Sequence, residues 1–384
     1  MRAGFRPVCT LFGWGLGVLL GAVLGAEPLH AQNPPDATFP IGSEVSPMSE
    51  SGGTLEFVLV GELGTADGDG ALGRIRDVAV SGDSIAAVLD DFGCLIHLFD
   101  LPSGAFRRVL GGCGEGPGEL LRPMSVAFMG DTLAVSDMGK RRLVLLDGEG
   151  SEVRSVLYPS ELENAPLAQI DARDGLILWQ PHWIGSSPER NLILAERAGD
   201  RMLAGVPDPE ISFTHPDAAR LRLVGGTCAF RDVPEVAVSN RWAVELLILD
   251  TALVPRYRHR EDTAGFDPEP VPPQYGGGWS SGFRGSPGPA CSDSTALWAF
   301  RRYDAEALAE GTLHVERALQ ILATSDGVIL GRRVVEDASW PDVALQVPAA
   351  GSGNRFYFFQ NNSGPYPTVR IYEVELASEG GAGP

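Results

Sequence analysis

One stretch of this chain is written twice. Val78-Ala79-Val80-Ser81-Gly82-Asp83-Ser84-Ile85-Ala86 lines up with Val126-Ala127-Phe128-Met129-Gly130-Asp131-Thr132-Leu133-Ala134, a spacing of 48 residues. The match extends both ways. Gly68 to Arg74 lies over Gly116 to Arg122 at the same spacing. After a one-residue difference, Asp90 to Asp100 lies over Asp137 to Asp147, and Phe106 to Leu110 over Val153 to Leu157. Repetition at this period marks a modular array, in which each unit buries its apolar faces only against its neighbours.

Within a unit, four short apolar or β-branched runs are separated by turn residues: 75 to 80, 84 to 89, 95 to 99 and 105 to 110 in the first copy. Four such runs make a four-stranded antiparallel sheet. Degraded copies follow at 168 to 180 with 191 to 205, at 235 to 257, at 296 to 334 and at 343 to 376. No window has convincing helical periodicity; Asp304 to Gly311 has room for one short turn. The expected fold is therefore all-β, a six-bladed β-propeller of four-stranded antiparallel blades. The chain ends agree with that count. Val369 to Leu376 reads as a third strand with nothing behind it, while Thr54 to Val60 precedes a Gly-rich loop, where other units keep their fourth strand. The N-terminal strand is expected to complete the last blade and so remove the free edges of an open array.

Arg2 and Arg6, the apolar run Val8 to Gly25 and Leu29-His30-Ala31 have the form of an export signal. A retained membrane anchor is the competing reading; the run is short and broken by glycines. The expected organisation is a signal peptide at 1–31, a flexible segment at 32–53, the propeller at 54–376 and a disordered tail at 377–384. Removing Arg2, Arg6 and Glu27 with the signal moves the formal charge from -20 to -21, and so acidic a surface argues against nucleic acid as a partner. Nothing after the signal is apolar enough for membrane insertion. The chain has 5 cysteines, of which Cys9 lies in the signal. Cys94, Cys113, Cys228 and Cys291 permit two disulfides in any of three pairings in a periplasmic or extracellular compartment. Propeller topology puts Cys94, after a turn between second and third strands, beside Cys113 in the next loop between blades, and puts Cys228 and Cys291 each ahead of the first strand of adjacent blades, which favours those two pairs.

Asp137-Met138-Gly139-Lys140-Arg141-Arg142-Leu143-Val144-Leu145-Leu146 resembles the signature of the NHL-like propeller family: an Asp, a small turn, then an Arg and an alternating apolar strand. Asp90 to Phe99 is similar but has Leu95 where Arg142 stands. Gly114 to Leu120, with Arg122-Pro123, is similar to loops between blades of exported bacterial members. The resemblance is specific over 54 to 158 and architectural beyond.

In such a fold, the loops between blades share one face with the turns between second and third strands, and ligands gather there near the central channel. Asp90, Asp91, Glu115, Asp137 and Arg142 fall on that rim, with Glu119, Lys140 and Arg141 beside them. Trp183 and Trp279, flanked by Gly, Ser and Pro, are the aromatics placed for ligand contact, whereas Trp242 and Trp298 suit the packing between blades. The structural alternative is that Asp90 and Asp137 cap tight turns and that Arg142 pairs with a neighbouring loop.

Three motif matches are declined. Gly68 to Gly73 fits a dinucleotide loop, but a strand follows where a helix is required. Gly278-Trp279-Ser280-Ser281-Gly282 fits a hydrolase elbow, but lies in the Pro/Gly-rich stretch 264 to 290. Asn361-Asn362-Ser363 fits a glycosylation acceptor, but the adjoining Gly364-Pro365 favours a turn.

Three function classes follow. A binding or scaffold module for a protein, peptide or glycan, monomeric and without cofactor, needs no catalytic set. A calcium-dependent hydrolase or lactonase of the gluconolactonase and paraoxonase type would need converging oxygen ligands, for which Asp90, Asp137, Asn240 and Asn354 are the available set. A peptide-amidating type of lyase would need a zinc-binding histidine group, and His97, His182, His215, His259 and His314 are scattered.

Overall fold

A computed structural model describes residues 45–159, 168–173, 175–181, 192–197, 200–205, 224–240, 245–250, 252–260, 269–271, 278–280, 283–285, 288–303, 315–338, 342–361 and 366–377. Trp183, Trp242, Asn362, Ser363 and the stretch 304 to 311 lie outside them, as do the side chains of Trp279 and Asn240.

The first repeat is a four-stranded antiparallel sheet, Ile75–Ser81, Ile85–Asp90, Leu95–Asp100 and Ala105–Gly111, in chain order. The second is Pro123–Met129, Thr132–Asp137, Arg142–Leu146 and Glu152–Leu157. The third runs from Ala168–Arg173 through Leu176–Pro181 and Leu192–Arg197 to Asp200–Gly205. The fourth comprises Val224–Ala229, Val236–Asn240, Glu245–Leu249 and Pro255–Arg260, with Ser46–Pro47 added at its edge. The rest of the chain forms a nine-stranded sheet of two halves. One is built on Thr295–Tyr303, Val315–Thr324 and Val328–Ala338; the other is Val347–Ser352, Arg355–Gln360 and Thr368–Ala377. Ser49–Leu63 joins them. Among the described residues the one helical element is the 3-10 turn Val343–Leu345.

Burial falls from the inner strands outward. In Ile85–Asp90 five consecutive residues are buried, because an inner strand has a neighbouring sheet on both faces. In the outer strand Ala105–Gly111 exposed positions alternate with part-buried ones and the buried Leu110. The apolar clusters lie between successive sheets. Ala79, Leu89 and Ile96 pack with Val126 and Leu133, joining the first repeat to the second. Leu178 and Ala195 meet Val236 and Leu247, joining the third to the fourth. Phe230 and Ile248 meet Trp298 and Ile321. Val78, Val80 and Val88 pack with Tyr357, Val369 and Ile371, which joins the first repeat to the last strands of the chain. Sheets that pack each on the next, and last on first, form a propeller-type fold.

Closure is made by a hydrogen-bonded ladder: Thr54 to Leu63 pairs antiparallel with Val369 to Ala377. A bulge between Leu59 and Gly61 reverses the faces. Before it, Leu55 and Phe57 pack with Phe358 and Tyr372; after it, Leu63 packs with Leu72 and Ile75 of the first repeat.

Of the stretch 32–53 expected to be flexible, the described residues from Ser46 onward are held in the sheets. They pair first parallel with Tyr257 and Arg258, then from Ser49 to Thr54 parallel with Val328 to Arg332. Met48 fills the gap between these two edges, against Phe230, Trp298 and Ile329. Ser51 donates its hydroxyl toward the carbonyls of Ile329 and Leu330, and Glu50 pairs with Arg332 at 2.7 Å.

Both favoured disulfides form, Cys94 with Cys113 and Cys228 with Cys291. Cys94–Cys113 ties a turn of the first repeat to the loop leading into the second. The other pair lies within strands, Cys228 in Val224–Ala229 and Cys291 in Ala290–Cys291, rather than ahead of them as the sequence suggested. It joins two adjacent sheets through their shared apolar cluster.

Leu63 is fully buried at the seam between the chain's two ends. Leu63→Ala should lower the unfolding free energy by about 3 kcal/mol, read from urea denaturation; a loss below about 1 kcal/mol would show that the seam carries little of the stability.

Candidate functional site

The first strand of every described repeat borders one central cavity of about 830 Å³. Its wall comes from residues 75–83, 124–130, 170–173, 227–232, 288–293 and 347–361 in turn, though not every residue in each stretch takes part. The backbone is irregular at matching places along that wall. Pairing register shifts between Ile75 and Asp77, between Pro123 and Ser125, between Val224 and Gly226, and between Pro348 and Ala350. Such bulges turn side chains out of the plane they would otherwise occupy. The first of them brings Asp77 to the second repeat.

There Asp77 accepts the Val126 N–H at 2.9 Å and the Ser125 hydroxyl at 2.5 Å, while its other oxygen accepts the Val78 N–H at 2.9 Å. Ser125 in turn accepts the Ile170 N–H of the third repeat at 3.2 Å. Asp171 then accepts the Ala229 N–H of the fourth repeat at 2.7 Å and the Ala172 N–H at 2.8 Å. The first strands of the first three repeats are thus each tied to the next by a side chain holding a backbone donor. Desolvation pushes the Asp77 carboxyl up to about 6, against the pull of its hydrogen bonds, and nearby Asp171 adds to the rise. Burial raises Asp171 as well.

Arg231 crosses the cavity. It leaves the fourth repeat and donates to the Val80 carbonyl of the first at 2.5 Å and to the Ser352 hydroxyl at 3.4 Å. Ser352 donates onward to Asp83 at 2.9 Å. Desolvation lowers the Arg231 pKa, and Asp293, Asp171 and Asp83 oppose the change. Arg76 and Arg173 also line the wall, with Asp232 and Asp293. The cavity therefore carries both signs of charge within a few residues of one another.

Two further contacts close the wall. Asn361 takes both backbone groups of Ile75, accepting its N–H and donating to its carbonyl, each at 2.8 Å. Its amide is spent on the seam between last strands and first, a structural role for the first residue of the glycosylation match. Gly288 approaches Gly226 so closely that a Cβ would stand 2.6 Å from the Gly226 Cα. Any larger residue at 288 would push this part of the chain away from Val224–Ala229.

Of the rim residues singled out from the sequence, Asp90 and Asp137 occupy equivalent places and do equivalent work. Asp90 accepts the N–H groups of Gly73, Arg74 and Phe92 at 2.5, 3.0 and 3.0 Å. Asp137 accepts those of Leu121, Arg122, Gly139 and Lys140 at 2.8, 3.0, 2.9 and 3.2 Å. Both hold the end of the preceding loop against the start of the next turn. Asp91 pairs with Arg74, Arg142 is exposed and donates to the Ser155 hydroxyl at 3.0 Å, and Glu115 is exposed. None of these five lines the cavity. Trp298 is buried between sheets, as its core reading expected. Asp77, Asp171 and Arg231 were missed, although Asp77 carried a signal: a lone carboxylate inside the apolar run Ile75 to Val80, with Ser125 at the same place one repeat later.

Among the described residues no three His, Cys, Asp or Glu side chains converge as metal ligands would, and no helix is long and apolar enough to cross a membrane. Asn354 is exposed, and its carbonyl accepts the Val374 N–H.

No family model matches the chain, and no curated protein does. Solved structures do. A member of the DUF4221 family from Bacteroides vulgatus superposes with a TM-score of 0.56 at 10% identity, covering 85% of this chain and 99% of that one. A protein from Bacteroides fragilis, inferred to be exported, superposes with a TM-score of 0.53 at 11% identity, covering 87% and 99%. At such identity the likeness is one of fold. The resemblance read from the repeats stands at the same level, a propeller-type fold.

The folded pKa of Asp77 lies above its ordinary 3.8. Its protonated form is therefore favoured by folding, and its contribution is full below about 4 and lost as pH rises through about 6. Asp77→Asn should consequently gain stability relative to the parent between pH 4 and pH 7.5, by on the order of 2 kcal/mol. Urea midpoints of both proteins at the two pH values measure it; a difference that does not change with pH would contradict it.

Proposed function

We propose that this protein is an exported, non-enzymatic binding module: a six-bladed propeller, similar to the NHL-like family, that takes a protein, peptide or glycan group into its central cavity. The observation that carries this reading is the cavity itself, about 830 Å³ and lined by Asp83, Asp232, Asp293, Arg76, Arg173 and Arg231. A pocket of that size suits a small ligand or a segment of a larger one. Guanidinium and carboxylate groups set side by side suit a ligand with donors and acceptors of its own, as a peptide terminus or a sugar has.

Six blades are favoured by the six stretches of wall and by the nine-stranded sheet, whose two halves each have the strand order of a blade. The strand Ser49–Leu63 reads as the fourth strand of the last. Export is favoured by the two disulfides, by the N-terminal signal pattern and by the description of the Bacteroides fragilis structure. A calcium-dependent hydrolase is the weaker alternative. The axial carboxylates Asp77 and Asp171 are already occupied by backbone N–H groups, and Asp90 and Asp137 by loop N–H groups.

Thermal-shift screening against short peptides and oligosaccharides tests the reading. A hit should lose its shift in Asp83→Trp, which puts a ring in place of an exposed carboxylate of the cavity wall, and keep it in Arg142→Ala. Loss in Arg142→Ala with retention in Asp83→Trp would move the site to the loop rim and overturn the cavity assignment.

A further inference from the structure

The fourth strand of each repeat has an outer edge, and in several of them that edge carries arginine. Arg107 and Arg108 stand in the first, Arg154 in the second and Arg256 in the fourth. Charged side chains on an edge strand discourage further pairing. The edges of Pro255–Arg260 and Val328–Ala338 are also covered in part by the chain's own N-terminal segment, which adds to both in parallel.

The strand that leaves that segment behind is different. Beyond Thr54, Ser49–Leu63 has a partner on one side alone among the described residues, Thr368–Ala377. On this open edge Val58, Leu59 and Val60 are consecutive and 43%, 52% and 44% exposed, with no basic residue anywhere in the strand. Beside them Glu56 lies directly across from Glu375, both exposed. Like charges in register on adjacent strands repel, and no ion pair relieves either one among the described residues.

We propose that this edge is a docking site for an extended segment of another protein, apolar at alternate positions and carrying a lysine or arginine that meets Glu56 and Glu375. The backbone groups of Glu56 to Val60 supply the ladder, as in other cases of strand addition. The apolar triplet supplies the buried surface, and the carboxylate pair selects a basic partner. A second copy of this chain is disfavoured by the same logic, because its own Ser49–Leu63 edge has no basic side chain to offer the carboxylate pair. The site lies on the outer strands, away from the cavity.

The test uses the purified full chain and a fluorescent seven-residue probe of alternating valine and threonine with lysine at each end, read by anisotropy. Binding is expected, weakened at least about tenfold in Leu59→Lys and in the double variant Glu56→Lys/Glu375→Lys. The double variant should instead bind the same probe ended by glutamate. Asp83→Trp should leave probe binding unchanged, which separates this site from the cavity. Urea midpoints confirm that the variants are folded. Absence of binding to the parent protein, or equal binding by parent and variants, overturns the proposal. So does a probe-free dimer that Leu59→Lys dissociates, since the edge would then belong to a second copy.

Discussion

A row of sheets packed face to face has two unsatisfied ends, and the pairing of Thr54 to Leu63 with Val369 to Ala377 removes both at once. Everything else in the structure follows from the ring being shut. With the first repeat packed on the last strands through Val78, Tyr357 and Ile371, every inner strand has a neighbour on each face. That is why Ile85–Asp90 can be apolar almost throughout without exposing a surface that would aggregate. It is also why the first strands converge on an axis and leave a cavity between them.

Convergence creates a second problem, which the polar residues solve. First strands near the axis are too splayed to pair with one another, so their inward N–H groups would be buried and unsatisfied. Asp77, Ser125 and Asp171 each reach to the next strand and take up such a group. The cost appears as the raised pKa values of the two carboxyls, which burial makes reluctant to ionise. Arg231, spanning to Val80 and Ser352, braces the opposite walls. The cavity is thus lined by groups whose first duty is architectural, and what remains for a ligand is the charge around them.

Much of the fold was legible because the first two repeats keep the same residues at the same offsets. The four strands of the first repeat fall within a residue or two of where the apolar runs placed them, and the missing partner of Val369 to Leu376 was found at the other end of the chain. Recognition of Asp90 and Asp137 as turn-capping residues was available from their position ahead of tight turns. Less was legible where a role depends on a distant neighbour. Nothing local to Arg231 announces that it crosses to Val80, 151 residues away in the chain. Nor does the polar stretch before Thr54 announce its pairing, since Ser49, Glu50 and Ser51 are ordered by the edge of Val328–Ala338 rather than by propensity of their own. The two disulfides show both sides of this. Their pairing followed from adjacency of repeats, while the position of Cys228 inside a strand depended on where a degraded repeat begins.

The central claim is that the two chain ends form one cooperative seam. Native-state hydrogen exchange of the amides that pair Thr54 to Leu63 with Val369 to Ala377 measures this directly. The account predicts that the two sets exchange with one common free energy, equal to that of global unfolding and shared with the core amides of Ile85–Asp90. Exchange of the Thr54 to Leu63 amides at a much lower free energy, with Ile85–Asp90 still protected, would show that the strand frays independently and that the ring does not depend on it.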